Sequence, residues 1–166
     1  MGEDLVPPHL GVSAHDLRNS RVLFLKSRQI TDSDCAAISP LLKQNKALNQ
    51  LFIGYNDFGD EGARHLCEAL AAIEGGALEL VGFRHCRLGD GAAQAVAELI
   101  KSSKTIVEVG VDENDISDSG AETLAAALPQ STSLQHLYIG KNKITKSGEG
   151  ALQSAAPSPM KVYFNR

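Results

Sequence analysis

The chain has no tryptophan, only eight aromatic rings and three cysteines in 166 residues. So few rings exclude a core built on large aromatic side chains. Cys35, Cys67 and Cys86 are an odd number without framework spacing, which predicts reduced thiols in a cytosolic-type compartment, not a disulfide scaffold. Positive charge is not in excess, since 16 Lys and Arg stand against 20 Asp and Glu for a net charge of −4. A general nucleic-acid binder, which needs a basic stripe, is therefore not expected. No run approaches the roughly 18 apolar residues of a membrane span, so no membrane insertion is expected. The first residues carry Glu3 and Asp4 and do not read as a secretion signal. What the chain does have is 43% apolar residues and 15 glycines. That suits one domain with a single, closely packed core.

A repeat organises it. Leu51-Phe-Ile-Gly-Tyr-Asn-Asp-Phe58 matches Leu137-Tyr-Ile-Gly-Lys-Asn-Lys-Ile144, and the frame recurs at Leu23–Ile30, Val81–Leu88, Val109–Ile116 and Val162–Arg166. Its second apolar residue falls at Leu25, Ile53, Phe83, Val111, Ile139 and Phe164, in steps of 28, 30, 28, 28 and 25 residues. Each copy opens with the two-residue alternation of a half-buried strand and continues with helical spacing, as in Gly62, Leu66 and Leu70. Asp32, Asp60, Asp90 and Asp118 fall where helix N-caps are expected. Lys146 takes that place in the last copy and predicts a less well capped helix.

This is the pattern L-x-x-L-x-L-x-x-N/C-x-L of a leucine-rich repeat. Asn56, Asn114 and Asn142 hold its Asn/Cys column and Cys86 supplies the alternative. A small polar group is needed there to satisfy backbone groups where the chain leaves the strand. Arg28 holds the column in the first copy, too long a cation to bury unpaired, which marks that repeat as atypical. With its 28-residue period and full helix the chain resembles the ribonuclease-inhibitor type of leucine-rich repeat, found also in NOD-like receptors, the Ran GTPase-activating protein and the tropomodulins. The resemblance covers residues 20–166. It implies an α/β right-handed solenoid, with a parallel β-sheet on the concave face, α-helices on the convex face, and about five full repeats plus a terminal strand. Residues 1–19 do not fit the repeat and are expected to form an N-terminal cap or a partly ordered segment.

In this frame the residues between the inward apolar positions face the concave side. One column reads Phe24, Phe52, Gly82, Gly110, Tyr138 and Tyr163, so rings flank a notch of two glycines. Neighbouring columns add Lys26, Tyr55, Arg84, His85, Arg87, Glu108, Asp112, Glu113, Lys141 and Arg166. The charges band by repeat, and two readings are open: they meet a charged partner, or neighbouring strands neutralise one another. Exposed rings with arginine are common interface anchors. The candidate partner-binding set is therefore Phe24, Phe52, Tyr55, Arg84, His85, Arg87, Glu108, Asp112, Glu113, Tyr138, Lys141 and Tyr163. No catalytic or metal-binding residue is expected, and no cofactor. The frame puts His65 and Cys67 on an outer helix, apart from His85 and Cys86, and no nucleophile elbow or phosphate loop occurs. The function expected is a non-catalytic interaction module binding a protein partner. The alternatives implied by the resemblance are a GTPase regulator or an actin-binding protein. Self-association through the bare strand edge at Val162–Phe164 is a further expectation.

Overall fold

The computed structural model describes residues 5–164; Glu3, Asp4 and Arg166, read above from the sequence, lie outside the described residues. Six helices alternate with six short strands. The helices are α1 (Ala14–Asn19), α2 (Asp32–Leu42), α3 (Asp60–Ala71), α4 (Asp90–Ser102), α5 (Asp118–Ala127) and α6 (Lys146–Ala155). The strands are β1 (Val22–Phe24), β2 (Gln50–Phe52), β3 (Leu80–Gly82), β4 (Glu108–Gly110), β5 (His136–Tyr138) and β6 (Lys161–Tyr163). All strands are parallel in one sheet, ordered as in the chain. The register is the repeat frame itself, aligning Leu23, Leu51, Val81, Val109, Leu137 and Val162. From α2 to α6 each helix packs on the one before it. Strands sit about 4.8 Å apart and helices about 8–10 Å apart, so the layers curve with the sheet inside.

The core lies between these layers. Leu51, Val81 and Val109 reach it from the strands, Ile53, Phe83 and Val111 from the residue after each, and Leu66, Val96 and Leu124 from the helices, all buried. Ala63, Ala92, Ala93 and Ala121 are fully buried as well. Their short side chains let successive helices approach, which is what the small-residue composition serves.

The turns after the strands are held from the following repeat. Asn56 Oδ1 accepts from the backbone N–H of Arg28 and Ile30, while its Nδ2 donates to the carbonyls of Leu25, Ile53 and Gly54. Asn114 does the same with Cys86 N and Leu88 N, and with the carbonyls of Phe83, Val111 and Asp112, at 2.8–3.0 Å. Asn142 serves Ile116 N and the carbonyls of Val111, Ile139 and Gly140. Cys86 offers only a weak thiol donor to Ile53 O and Arg84 O, both at 3.5 Å. The residue before this column is left-handed in five repeats: Ser27, Tyr55, His85, Glu113 and Lys141 have φ between 52° and 58°. Where the column lacks Asn, the residue after it, Gln29 or Arg87, is left-handed too. Arg28 is not buried in the column as an Asn would be. It is partly exposed, and its guanidinium packs on Gly11, whose φ of 61° favours glycine.

The helix starts correct an expectation. Asp32, Asp60, Asp90 and Asp118 are not N-caps but first helical residues; the caps are Thr31, Gly59, Gly89 and Ser117. One residue earlier is the extended position from which a cap acts. The aspartates instead cap the next helix. Asp32 Oδ1 accepts from Gly59 N (2.9 Å) and Gly62 N (2.6 Å), and Asp60 from Gly89 N and Gly91 N. Asp90 takes Ser117 N and Oγ, and Asp118 takes Thr145 N and Oγ1 together with Gly148 N. Helix α6 is therefore not poorly capped: Thr145 and Asp118 serve it, whatever stands at Lys146. In the first repeat Asp34 replaces the missing carboxylate. It accepts from Thr31 N and Oγ1 at 2.8 Å and meets His9 Nε2 at 3.3 Å. Leu10 and Leu17, ahead of β1, are fully buried in the common core, and Asn45 Nδ2 donates to Leu17 O and Ser20 O.

Two substitutions test this arrangement. Asn114→Leu leaves several buried backbone groups unpaired, each worth about 1–3 kcal/mol. Urea denaturation should show a loss of at least ~3 kcal/mol. Gly120→Ala in an ordinary helix interior would gain about 1 kcal/mol. Here the new Cβ would stand 2.5 Å from Asp90 Oδ1 and 2.7 Å from Ile116 Cγ2, so the same experiment should report a net loss.

Candidate functional site

The concave face carries its rings in two stacked pairs. Phe24 and Phe52 lie nearly parallel, with centroids 5.0 Å apart and a 5° interplanar angle. Tyr138 and Tyr163 stack at 4.5 Å and 9°. Both pairs follow from the register, which sets Phe24 beside Phe52 and Tyr138 beside Tyr163 on adjoining parallel strands. Phe24 remains 65% exposed, an uncommon state for a large apolar side chain held in a strand. His136 Nδ1 lies 3.1 Å from Tyr163 Oη and fixes the second pair from the side. Between the pairs, Gly82 and Gly110 are aligned neighbours on β3 and β4.

Tyr55, His85, Glu113 and Lys141 do not sit on the strands. They project in a row from the left-handed turns at the strand ends. Tyr55 stacks on His85 at 5.3 Å, with Lys26 Nζ 4.4 Å and Arg84 Cζ 5.7 Å from its ring centre. Glu113 is the hub of the charges. Its Oε1 accepts from Arg84 Nη2 (2.7 Å) and Lys141 Nζ (3.0 Å), and His85 Nδ1 is 3.8 Å from its Oε2. Those bonds hold the Glu113 carboxyl down at about 2. Arg87 pairs with Asp57 at 3.7 Å and Lys143 with Asp115 at 2.8 Å. Much of the charge banding is thus spent between neighbouring repeats, the second of the two readings above.

Glu108 and Asp112 differ. They sit on the concave face two residues before and two after Gly110. No cation stands within ion-pair distance of either among the described residues. Asp112 Oδ1 accepts from Gly140 N at 3.2 Å, and burial raises its carboxyl above the usual range. The left-handed row was missed from sequence because it holds no glycine. The signal available was positional, the residue before the Asn column in every copy. Cys67 is buried under α3 and Cys86 in the core, each with its thiol pushed up to about 12 by burial.

The comparisons with known proteins agree with this geometry. The Leucine Rich repeat family profile matches residues 44–67, 102–125 and 130–152. Similar sequences include the NACHT, LRR and PYD domains-containing protein 12 of Mus musculus, 30% identical over 102 residues, or 61% of this chain and 10% of that protein. The ribonuclease inhibitor of Sus scrofa is 34% identical over 92 residues, covering 55% of this chain and 20% of that one. The chain thus spans a tenth to a fifth of the length of these relatives. Among solved structures, the Leiomodin-1 Actin-Binding Site 2 aligns with a TM-score of 0.56 at 14% identity, covering 92% of this chain and 77% of that one. That likeness is one of fold.

Because Glu113 carries a lowered pKa, its pairs contribute to stability above the ordinary value of 4.5 and are lost as pH falls through about 2. An NMR titration of its side-chain carboxyl should give a midpoint near 2. Arg84→Gln and Lys141→Met should each move that midpoint upward.

Proposed function

We propose that this chain, a leucine-rich repeat protein of the ribonuclease-inhibitor type, is a non-catalytic interaction module that binds a protein partner through its concave face. The observation that carries the reading is the pair of stacked ring clusters, Phe24–Phe52 and Tyr138–Tyr163, turned outward from a rigid sheet. Stacking and short strands hold these rings in place before any partner arrives, so little side-chain entropy is lost on binding. Rings fixed in this way are strong interface anchors. Six strands give a face on the order of 24 Å across, the width of one helix or loop of a partner. Buried, unpaired Cys35, Cys67 and Cys86 support a cytosolic setting. Residues 5–19 act as the cap of the first repeat.

Actin is the second reading, favoured by the fold likeness to a leiomodin actin-binding site. Co-sedimentation with filamentous actin tests it, and a chain that stays in the supernatant at tens of micromolar actin counts against it.

For the main reading, the partner taken up from native tissue extract is identified by mass spectrometry and titrated against purified variants. Phe52→Ala with Tyr138→Ala should weaken binding by more than about 2 kcal/mol, with unfolding midpoints held near the parent. Undiminished binding would move the site off the concave face.

A further inference from the structure

The glycine notch is not explained by the fold. Gly82 and Gly110 do not carry the positive φ that Gly11 and Gly75 do. Nor are they crowded. A Cβ at Gly82 would have only Phe52 Cδ1 (3.8 Å) and Leu51 O (3.9 Å) within 4 Å; at Gly110, only Asp112 Oδ2 (3.7 Å) and Gly82 Cα (3.9 Å). These are ordinary contacts, unlike those at Gly62 or Gly120. A side chain would fit at either position. What its absence provides is space, two strands wide, between Phe52 and Tyr138, whose columns stand three strand steps or about 14 Å apart.

The edges of this space have a definite chemistry. Asp112 leans over the floor with Oδ2 toward Gly110, while its Oδ1 is engaged by Gly140 N. Glu108 opens β4, on the other side of Gly110 and beside His136 in the register. The nearby cations are committed elsewhere: Arg84 and Lys141 to Glu113, Lys26 over Tyr55, and Arg87 and Lys143 to Asp57 and Asp115. Burial raises the Asp112 carboxyl, and the field of Arg84, which bonds Glu113 and not Asp112, offsets that only in part. Two carboxylates that no described cation pairs with directly, beside an aromatic wall and above an open backbone floor, complement a cation that is also flat.

We propose that the notch over Gly82 and Gly110 receives an arginine side chain of the protein partner, its guanidinium bonded to Asp112 and Glu108 and stacked on Tyr138, with Phe52 as the far wall of the notch. Arginine fits better than lysine because its planar fork bonds carboxylates while its face stacks on the neighbouring ring. This rests on the concave-face reading and adds the chemistry of what that face takes.

The test uses the full chain, labelled with nitrogen-15, and two probes: acetyl-Gly-Arg-Gly-amide and its neutral citrulline counterpart. The arginine peptide should give saturable shifts of the Gly82 and Gly110 amide signals. The citrulline peptide should bind at least about fivefold more weakly, the scale of a charge-assisted hydrogen bond. Asp112→Asn with Glu108→Gln should erase that preference. The asparagine can still accept from Gly140 N, and an unchanged spectrum elsewhere reports an intact fold. Equal response to the two peptides, or shifts confined to the helices, overturns the proposal. So does a concentration-dependent dimer that moves the same two signals without peptide, since a second copy then fills the notch.

The two readings fail separately. A protein partner lost with Phe52→Ala and Tyr138→Ala but held at full strength by the double acid variant overturns the arginine slot and leaves the concave-face reading. An arginine-peptide preference that needs both acids, with a partner indifferent to the ring substitutions, overturns the concave-face reading and with it the assignment of that arginine to the partner, while the notch keeps its chemistry toward arginine.

Discussion

A buried turn must hydrogen-bond the backbone groups that water can no longer reach, and this chain does so with side chains borrowed from its neighbours. The amide of Asn56 closes the turn of the repeat before it, and the carboxylate of Asp32 opens the helix of the repeat after it. One bond set points backward along the solenoid and the other forward. An isolated repeat would keep its Leu and Ile positions but leave its turn and its helix start unsatisfied, at about 1–3 kcal/mol per buried group. The apolar core therefore holds the layers together, while the polar ladders fix the phase in which they stack.

The concave face follows from that phase. Once the turns are pinned, the residue before each Asn column is forced left-handed, and Tyr55, His85, Glu113 and Lys141 line up at the ends of the strands. Each non-glycine residue in that conformation costs on the order of 1 kcal/mol, which the surrounding hydrogen bonds offset. The strands between the turns have only three residues each, and the alternation leaves few outward positions per repeat. What occupies them is strongly sorted: rings at the two flanks, glycine in the middle, paired charges in the turn row, and two acids without a direct ion pair among the described residues on either side of Gly110.

Much of this was legible in the sequence. The columns Leu51/Leu137 and Asn56/Asn114/Asn142 fix the register, because a strand of three residues has no other way to repeat every 28. The rings could be assigned to the concave side from the same frame. The role of Asp32 and its counterparts could not, because position alone does not say whether a carboxylate bonds its own helix or the next. The residue that decides is Gly62, or Gly120 for Asp90, whose missing Cβ leaves room for the incoming oxygen. Glu113 and Asp112 adjoin in sequence and carry the same charge. Only the turn separates them, swinging Glu113 toward Arg84 and Lys141 and leaving Asp112 over the sheet.

The cross-repeat hydrogen bonds also bear on how the molecule comes together. They span a narrow range of chain separation, 28 residues for Asn56 to Arg28, 31 for Asn114 to Phe83 and 27 for Asp118 to Thr145. The strand ladders run in chain order, so no pairing joins distant parts of the sequence. Closing each such loop costs a similar, modest entropy. Formation can then begin at one adjacent pair of repeats and spread outward a unit at a time. A repeat with a neighbour on each side is held by both ladders, so the β3–β4 floor between the ring pairs rests on backbone pinned from before and from after it.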